Sequence, residues 1–97
     1  MGYVVAARWT AQEGQEEVVL DAIRRLISPS RAEPGCRLYQ PTRDLEDPRV
    51  FLLFEVYDDE AAYRAHGESE HFQRWGAGQA LPVLEQRERS FLETIDD

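Results

Sequence analysis

The run "VFLLFEVY", residues 50–57, is apolar almost throughout. If it is a strand, its side chains project to opposite sides in turn. Val50, Leu52, Phe54 and Val56 then share one face, and Phe51, Leu53, Glu55 and Tyr57 the other. A strand that is apolar on both faces is expected to be buried on both. The segment Tyr3–Thr10, "YVVAARWT", is rich in β-branched and aromatic residues and predicts another strand. Between Gln15 and Ser28 the period changes. Val18, Val19, Ala22, Ile23, Leu26 and Ile27 recur at steps of three and four, one stripe of a helix. Glu16 and Glu17 in its first turn and Arg24-Arg25 towards its end suit the helix dipole. Thr10 and Glu13 have capping-box spacing, but Gly14 favours a later start. Pro29 is expected to stop the helix, and Pro34-Gly35 to turn the chain.

A second strand is predicted over Cys36–Thr42, where Pro41 requires an edge position or a bulge. Asp44, Asp47 and Pro48 mark the turn into the strand at 50–57. Asp58 or Asp59 can cap a helix running from Glu60 to about His66, with Gly67 expected to end it. Ser69 starts a second helix that carries Phe72, Trp75, Ala80 and Leu81 as far as Pro82. Phe91, Leu92, Thr94 and Ile95 predict a last strand over Arg87–Ile95, followed by a frayed acidic tail. The order is βαββαβ in a single domain spanning 1–97. It predicts an α+β, ferredoxin-like fold, an antiparallel sheet with helices on one face. The second apolar face of 50–57 then needs another cover, and a second copy of the same sheet is the simplest, giving a homodimer.

Charge narrows the partners. With a formal net charge of −8 and a pI of about 4.7 the chain repels phosphate backbones. Its basic residues cluster only at Arg24-Arg25 and at Arg87/Arg89. Neither nucleic acid nor an anionic membrane surface is an expected partner. No apolar run approaches the ~20 residues of a spanning helix, and the N-terminus lacks a signal-peptide pattern, so a cytoplasmic protein is expected. Cys36 is the only cysteine, which excludes an intrachain disulfide, and it reads as a small buried core residue.

The chemistry concentrates in "AHGESEHFQRW", residues 65–75, which holds both histidines and Trp75. Metal binding is not expected there. Residues five apart on a helix differ by about 140° of rotation, so the two rings diverge, and no spacing supplies a third ligand. Acid–base chemistry fits better. A histidine such as His66 ordinarily titrates near neutral pH, and Glu55 is a carboxylate on an otherwise apolar strand face. Such a Glu needs a partner, because burying an unpaired charge is costly. The plainer alternative is that it ends the strand near solvent or pairs with Arg8. Phosphate-cradling glycine loops and a nucleophile–base signature are both missing from the sequence.

Pro34-Gly35-Cys36 with Tyr39, Glu55 with Tyr57, and His66, Ser69, His71 and Phe72 reproduce three patterns, "PGC..Y", "E.Y" and "H..S.HF". In these the chain resembles the antibiotic biosynthesis monooxygenase family, over nearly its whole length. The resemblance implies a dimeric α/β barrel with a small-molecule pocket between sheet and helices. It implies oxidation of a small quinol-like or polycyclic phenolic substrate by O₂, with no flavin, haem or metal cofactor. The implied polar centre is His66 and Glu55, with His71, Trp75, Tyr57, Phe51 and Phe72 binding the substrate. The haem-degrading branch of the family is disfavoured, since Gly76 stands where its axial histidine belongs and Ala7 where it has an asparagine. There are two alternatives: an isomerase on a small oxygenated metabolite, which uses the same groups to move a proton without O₂, and a non-catalytic ligand-binding or stress-associated dimer, which keeps the fold and has lost the chemistry.

Overall fold

The computed structural model describes residues 1–96; Asp97, half of the expected acidic tail, lies outside the described residues. Its elements are β1 (Tyr3–Ala11), α1 (Glu16–Arg31), β2 (Cys36–Arg43), β3 (Val50–Tyr57), α2 (Glu60–Glu68), a π-helix (Phe72–Ala80), a single 3₁₀ turn (Leu81–Val83) and β4 (Leu84–Glu93). The four strands form one sheet in the order β2-β3-β1-β4, with every neighbouring pair antiparallel. This is the ferredoxin-like arrangement that the βαββαβ order predicts.

The period-two pattern of β3 decides which side is the core. Phe51, Leu53, Glu55 and Tyr57 are buried beneath the helices with Val5, Ala7, Trp9 and Ala11 of β1. From above, α1 contributes Val19, Ala22, Ile23 and Leu26, the stripe read from the sequence. The opposite face is uncovered: Leu38, Leu52, Phe54 and Leu92 are 42%, 41%, 39% and 52% exposed. Pro41 lies in β2, which is an edge strand as its missing N–H requires.

Several boundaries differ from expectation. Helix α1 continues past Pro29 to Arg31, because a proline removes only the bond its own nitrogen would donate, and the Ala32 N–H still reaches the Ser28 carbonyl at 3.2 Å. Gly67 does not end α2, which runs on to Glu68; the break comes at Ser69, whose extended backbone (ψ 152°) cannot continue a helix. Asp59 caps α2 by accepting the Ala62 N–H at 2.9 Å. The following helix is π-type, its wider turn closed by Leu81 N–H to the Gly76 carbonyl. Strand β4 begins at Leu84 rather than Arg87 and stops at Glu93. Cys36 is only partly buried, at a register irregularity between β2 and β3.

Candidate active site

Two glycines set the space around the site. A Cβ on Gly35 would stand 2.5 Å from Cβ of Ala62, so the "PGC" turn lets α2 settle against the start of β2. A Cβ on Gly76 would stand 2.6 Å from Cε1 of Phe72, whose ring folds over that position. Helix α2 thereby presents His66 to the sheet. His66 is 3% exposed, in contact with the rings of Phe72, Tyr57 and Tyr39 at centroid distances of 5.3, 5.5 and 5.6 Å.

Two carboxylates meet at this ring. Nδ1 of His66 lies 2.8 Å from Oε2 of Glu33, in the turn after α1, and Nε2 lies 3.9 Å from Oε1 of Glu55 on β3. A carboxylate can only accept, so the Glu33 bond places the ring hydrogen on Nδ1 and leaves a lone pair on Nε2. Glu55, 5% exposed, accepts a 2.6 Å hydrogen bond from the Tyr57 hydroxyl. Arg8 is not its partner; that side chain lies on the open face beside Glu88 at 3.5 Å. Burial pushes the Glu55 carboxyl up to about 7, against the pull of the Tyr57 hydrogen bond and of Arg87 and Arg89, and with a further push from Glu33. Burial likewise holds the His66 imidazole below its ordinary range, opposed by its bond to Glu33. The hydroxyls of Tyr57 and Tyr39 are raised by burial first and by Glu55 second.

Beside this pair lies a cavity of about 270 Å³. Its floor is Ala7, Trp9, Leu53 and Glu55, its roof Tyr63, His66 and Phe72, with Arg64, Arg87 and Arg89 also among its lining residues. The volume lies just below the range usual for small-molecule sites, ~300–1,000 Å³. Glu55, His66 and Phe72 thus share one cavity. Tyr57 stands one layer behind, bonded to Glu55, and Phe51 is a buried core residue outside the lining, under the Arg43 guanidinium. Trp75 points elsewhere, its ring 4.5 Å from the guanidiniums of both Arg25 and Arg74.

His71 gives the clearest departure from the sequence reading. The break at Ser69 re-aims the chain, so the two histidine rings converge rather than diverge, with centroids 5.9 Å apart. Nε2 of His71 lies 2.5 Å from the same Oε2 of Glu33. Glu33 is the residue that sequence reasoning missed, since it lies 33 and 38 positions from its partners in a turn with no periodicity. Arg87 and Arg89 were legible as a basic pair, but only the register that sets them opposite Trp9 and Ala7 shows which way they face.

The family model for antibiotic biosynthesis monooxygenases matches residues 2–78. "Putative monooxygenase YcnE" of Bacillus subtilis strain 168 is 36% identical over 61 residues, which are 63% of each chain. The chain spans about half to two thirds of the length of the curated relatives it matches. Among solved structures, PA3566 from Pseudomonas aeruginosa is similar at 30% identity and a TM-score of 0.87, covering 97% of this chain and 94% of that one. Rv0793 from Mycobacterium tuberculosis is similar at 26% identity and a TM-score of 0.89, covering 100% and 98%. On the family match, which takes in the turn, β3, α2 and most of the π-helix, the chain belongs to the antibiotic biosynthesis monooxygenase family.

Proposed function

We propose that the protein is a cofactor-independent monooxygenase that oxidises a small quinol-like or polycyclic phenolic substrate with O₂. One observation carries this reading: a buried imidazole with its Nδ1–H held by Glu33 turns a free Nε2 lone pair to Glu55 at the wall of an aromatic cavity. Nε2 takes the phenolic proton, and the resulting anion is electron-rich enough to reduce O₂. Glu55, with its carboxyl near neutrality, can share that proton, and the Arg87 and Arg89 guanidiniums balance the anion's charge. For a hydroquinone the electrons balance without an added reductant. One oxygen atom forms a new ring C–O bond, the other leaves as water, and the product is a hydroxyquinone.

The same reading includes a homodimer built by packing the exposed Leu38, Leu52, Phe54 and Leu92 face on its equivalent. Among the described residues no helix is long and apolar enough to cross a membrane. The test is oxygen uptake by chelator-treated protein with a panel of hydroquinones. One O₂ consumed per substrate supports the proposal. Isomerisation without uptake, or binding without turnover that His66→Ala leaves unchanged, replaces it with one of the two alternatives.

A further inference from the structure

We infer that Glu33, His66 and His71 form a binding site for a divalent first-row transition-metal ion. The three ligands come from three segments: the turn after α1, helix α2, and the residue that opens the π-helix. One donor atom from each lies within 4.8 Å of the others. Both imidazoles already point a nitrogen at one oxygen, Oε2 of Glu33. Bonds of 2.0–2.2 Å in a tetrahedral shell set donor atoms roughly 3.3 Å apart, so each imidazole nitrogen need draw back from Oε2 of Glu33 by less than about 1 Å, with the two nitrogens already within 4.8 Å of each other.

The side chains are held in place before any ion arrives. His66, Glu33 and His71 are 3%, 15% and 19% exposed, and the rings of Tyr39, Tyr57, Tyr63 and Phe72 surround His66. Little rotamer freedom is left to lose on binding. The partial exposure of Glu33 and His71 gives water a way to the remaining coordination positions, while His66 closes the inner side. Two imidazoles and one carboxylate suit zinc, iron, cobalt or nickel, whereas calcium and magnesium prefer all-oxygen shells.

Loading needs no net loss of protons from neutral histidines. Each ring moves its hydrogen to the far nitrogen, so that Nδ1 of His66 binds the ion and its Nε2–H faces Glu55, now 3.9 Å away. Ligating histidines commonly give their other N–H to a carboxylate in this way. That change caps the nitrogen assigned above as the base, so the metal-loaded and base-competent forms of His66 exclude one another. This consequence rests on the proposed function; the site itself does not.

The test uses untagged, chelator-stripped full chain titrated with zinc against a chromophoric chelator, then with cobalt(II). His66 and His71 are the only histidines, so imidazole coordination can arise nowhere else. One zinc per chain is expected, with visible cobalt bands of a four- or five-coordinate site. Glu33→Gln and His71→Ala should each weaken zinc binding at least about tenfold, a loss that even partners of metal ligands produce. Because either substitution could disturb the fold, ¹⁵N spectra of the wild-type imidazoles provide a second readout, and both rings should shift on zinc addition. Unmoved ring signals, or zinc affinity indifferent to both substitutions, would overturn the site and leave surface carboxylates as the ligands.

Discussion

The Tyr57 hydroxyl donates a 2.6 Å hydrogen bond to Oε1 of Glu55, two residues away on the same face of β3. The bond lowers the carboxyl's pKa, but burial outweighs it and the value stands at about 7 against an ordinary 4.5. Between these values the native protein keeps a proton that the unfolded chain has lost, so Glu55 makes stability fall as pH rises through that window. The effect is absent below 4.5 and complete above about 7, and amounts to about 3 kcal/mol. Gln at this position can still accept from Tyr57 and carries no charge. Glu55→Gln should therefore gain stability over wild type between pH 5 and 8 in denaturant titrations of metal-free protein. Facing groups His66, Glu33, Arg87, Arg89 and Tyr39 are common to both proteins, so the difference isolates Glu55. A flat difference would place the carboxyl in solvent.

His66→Ala should cost on the order of a hundredfold or more in kcat on a confirmed substrate, since positioned acid–base groups contribute ~10²–10⁴. His71→Ala should cost less, because that ring bonds Glu33 and packs behind His66 without itself lining the cavity. Steady-state rates on folded variants decide this, and near-wild-type turnover by His66→Ala would reduce His66 to packing.

Gly76→Ala should act through Phe72. The new methyl would meet the ring at 2.6 Å and push it towards His66 or out over the cavity. Overpacking of this kind costs ~1–3 kcal/mol, partly offset by up to ~1 kcal/mol of helix propensity. Substrate affinity should change as the lining moves. In a Phe72→Leu background the penalty should shrink, and a double-mutant cycle showing no coupling would clear Phe72 of the effect.

Light scattering should give twice 11.2 kDa. Phe54→Asp, on a strand face that a lone chain leaves 39% exposed, should shift the protein towards monomer while barely altering its helix content. A stable wild-type monomer at micromolar concentration would remove the dimer from the proposal.

Much of this architecture was legible because the pattern that encodes it is local. The stripe from Val18 to Ile27 is a helix, and the two apolar faces of Val50–Tyr57 are one core face and one open face. Pro41 announced its edge strand, and Glu55 stood out as the single carboxylate on a core face. What the sequence hides is convergence. Nothing local ties Glu33 to His66 and His71, because a turn of one backbone segment and a break at Ser69 in another create that contact. The π-helix was equally hidden, since its residues are those of an ordinary amphipathic helix and the wider turn accompanies the fit of Phe72 over Gly76. Strand β4 reads weakly because Leu84–Gln86 lack β-branched residues and are recruited by pairing with β1.

The strand order also governs how far self-association can spread. A sheet grows sideways only where an outer strand offers free backbone donors and acceptors to a newcomer. Here one outer strand carries Pro41, which has no hydrogen to give, and the other reads "LEQRERSFLE", with charges along most of its length. Lateral addition is discouraged at both margins. The broad apolar face that remains would, in the proposed dimer, be covered by its own equivalent. Contact between copies would then close on itself instead of drawing out into filaments.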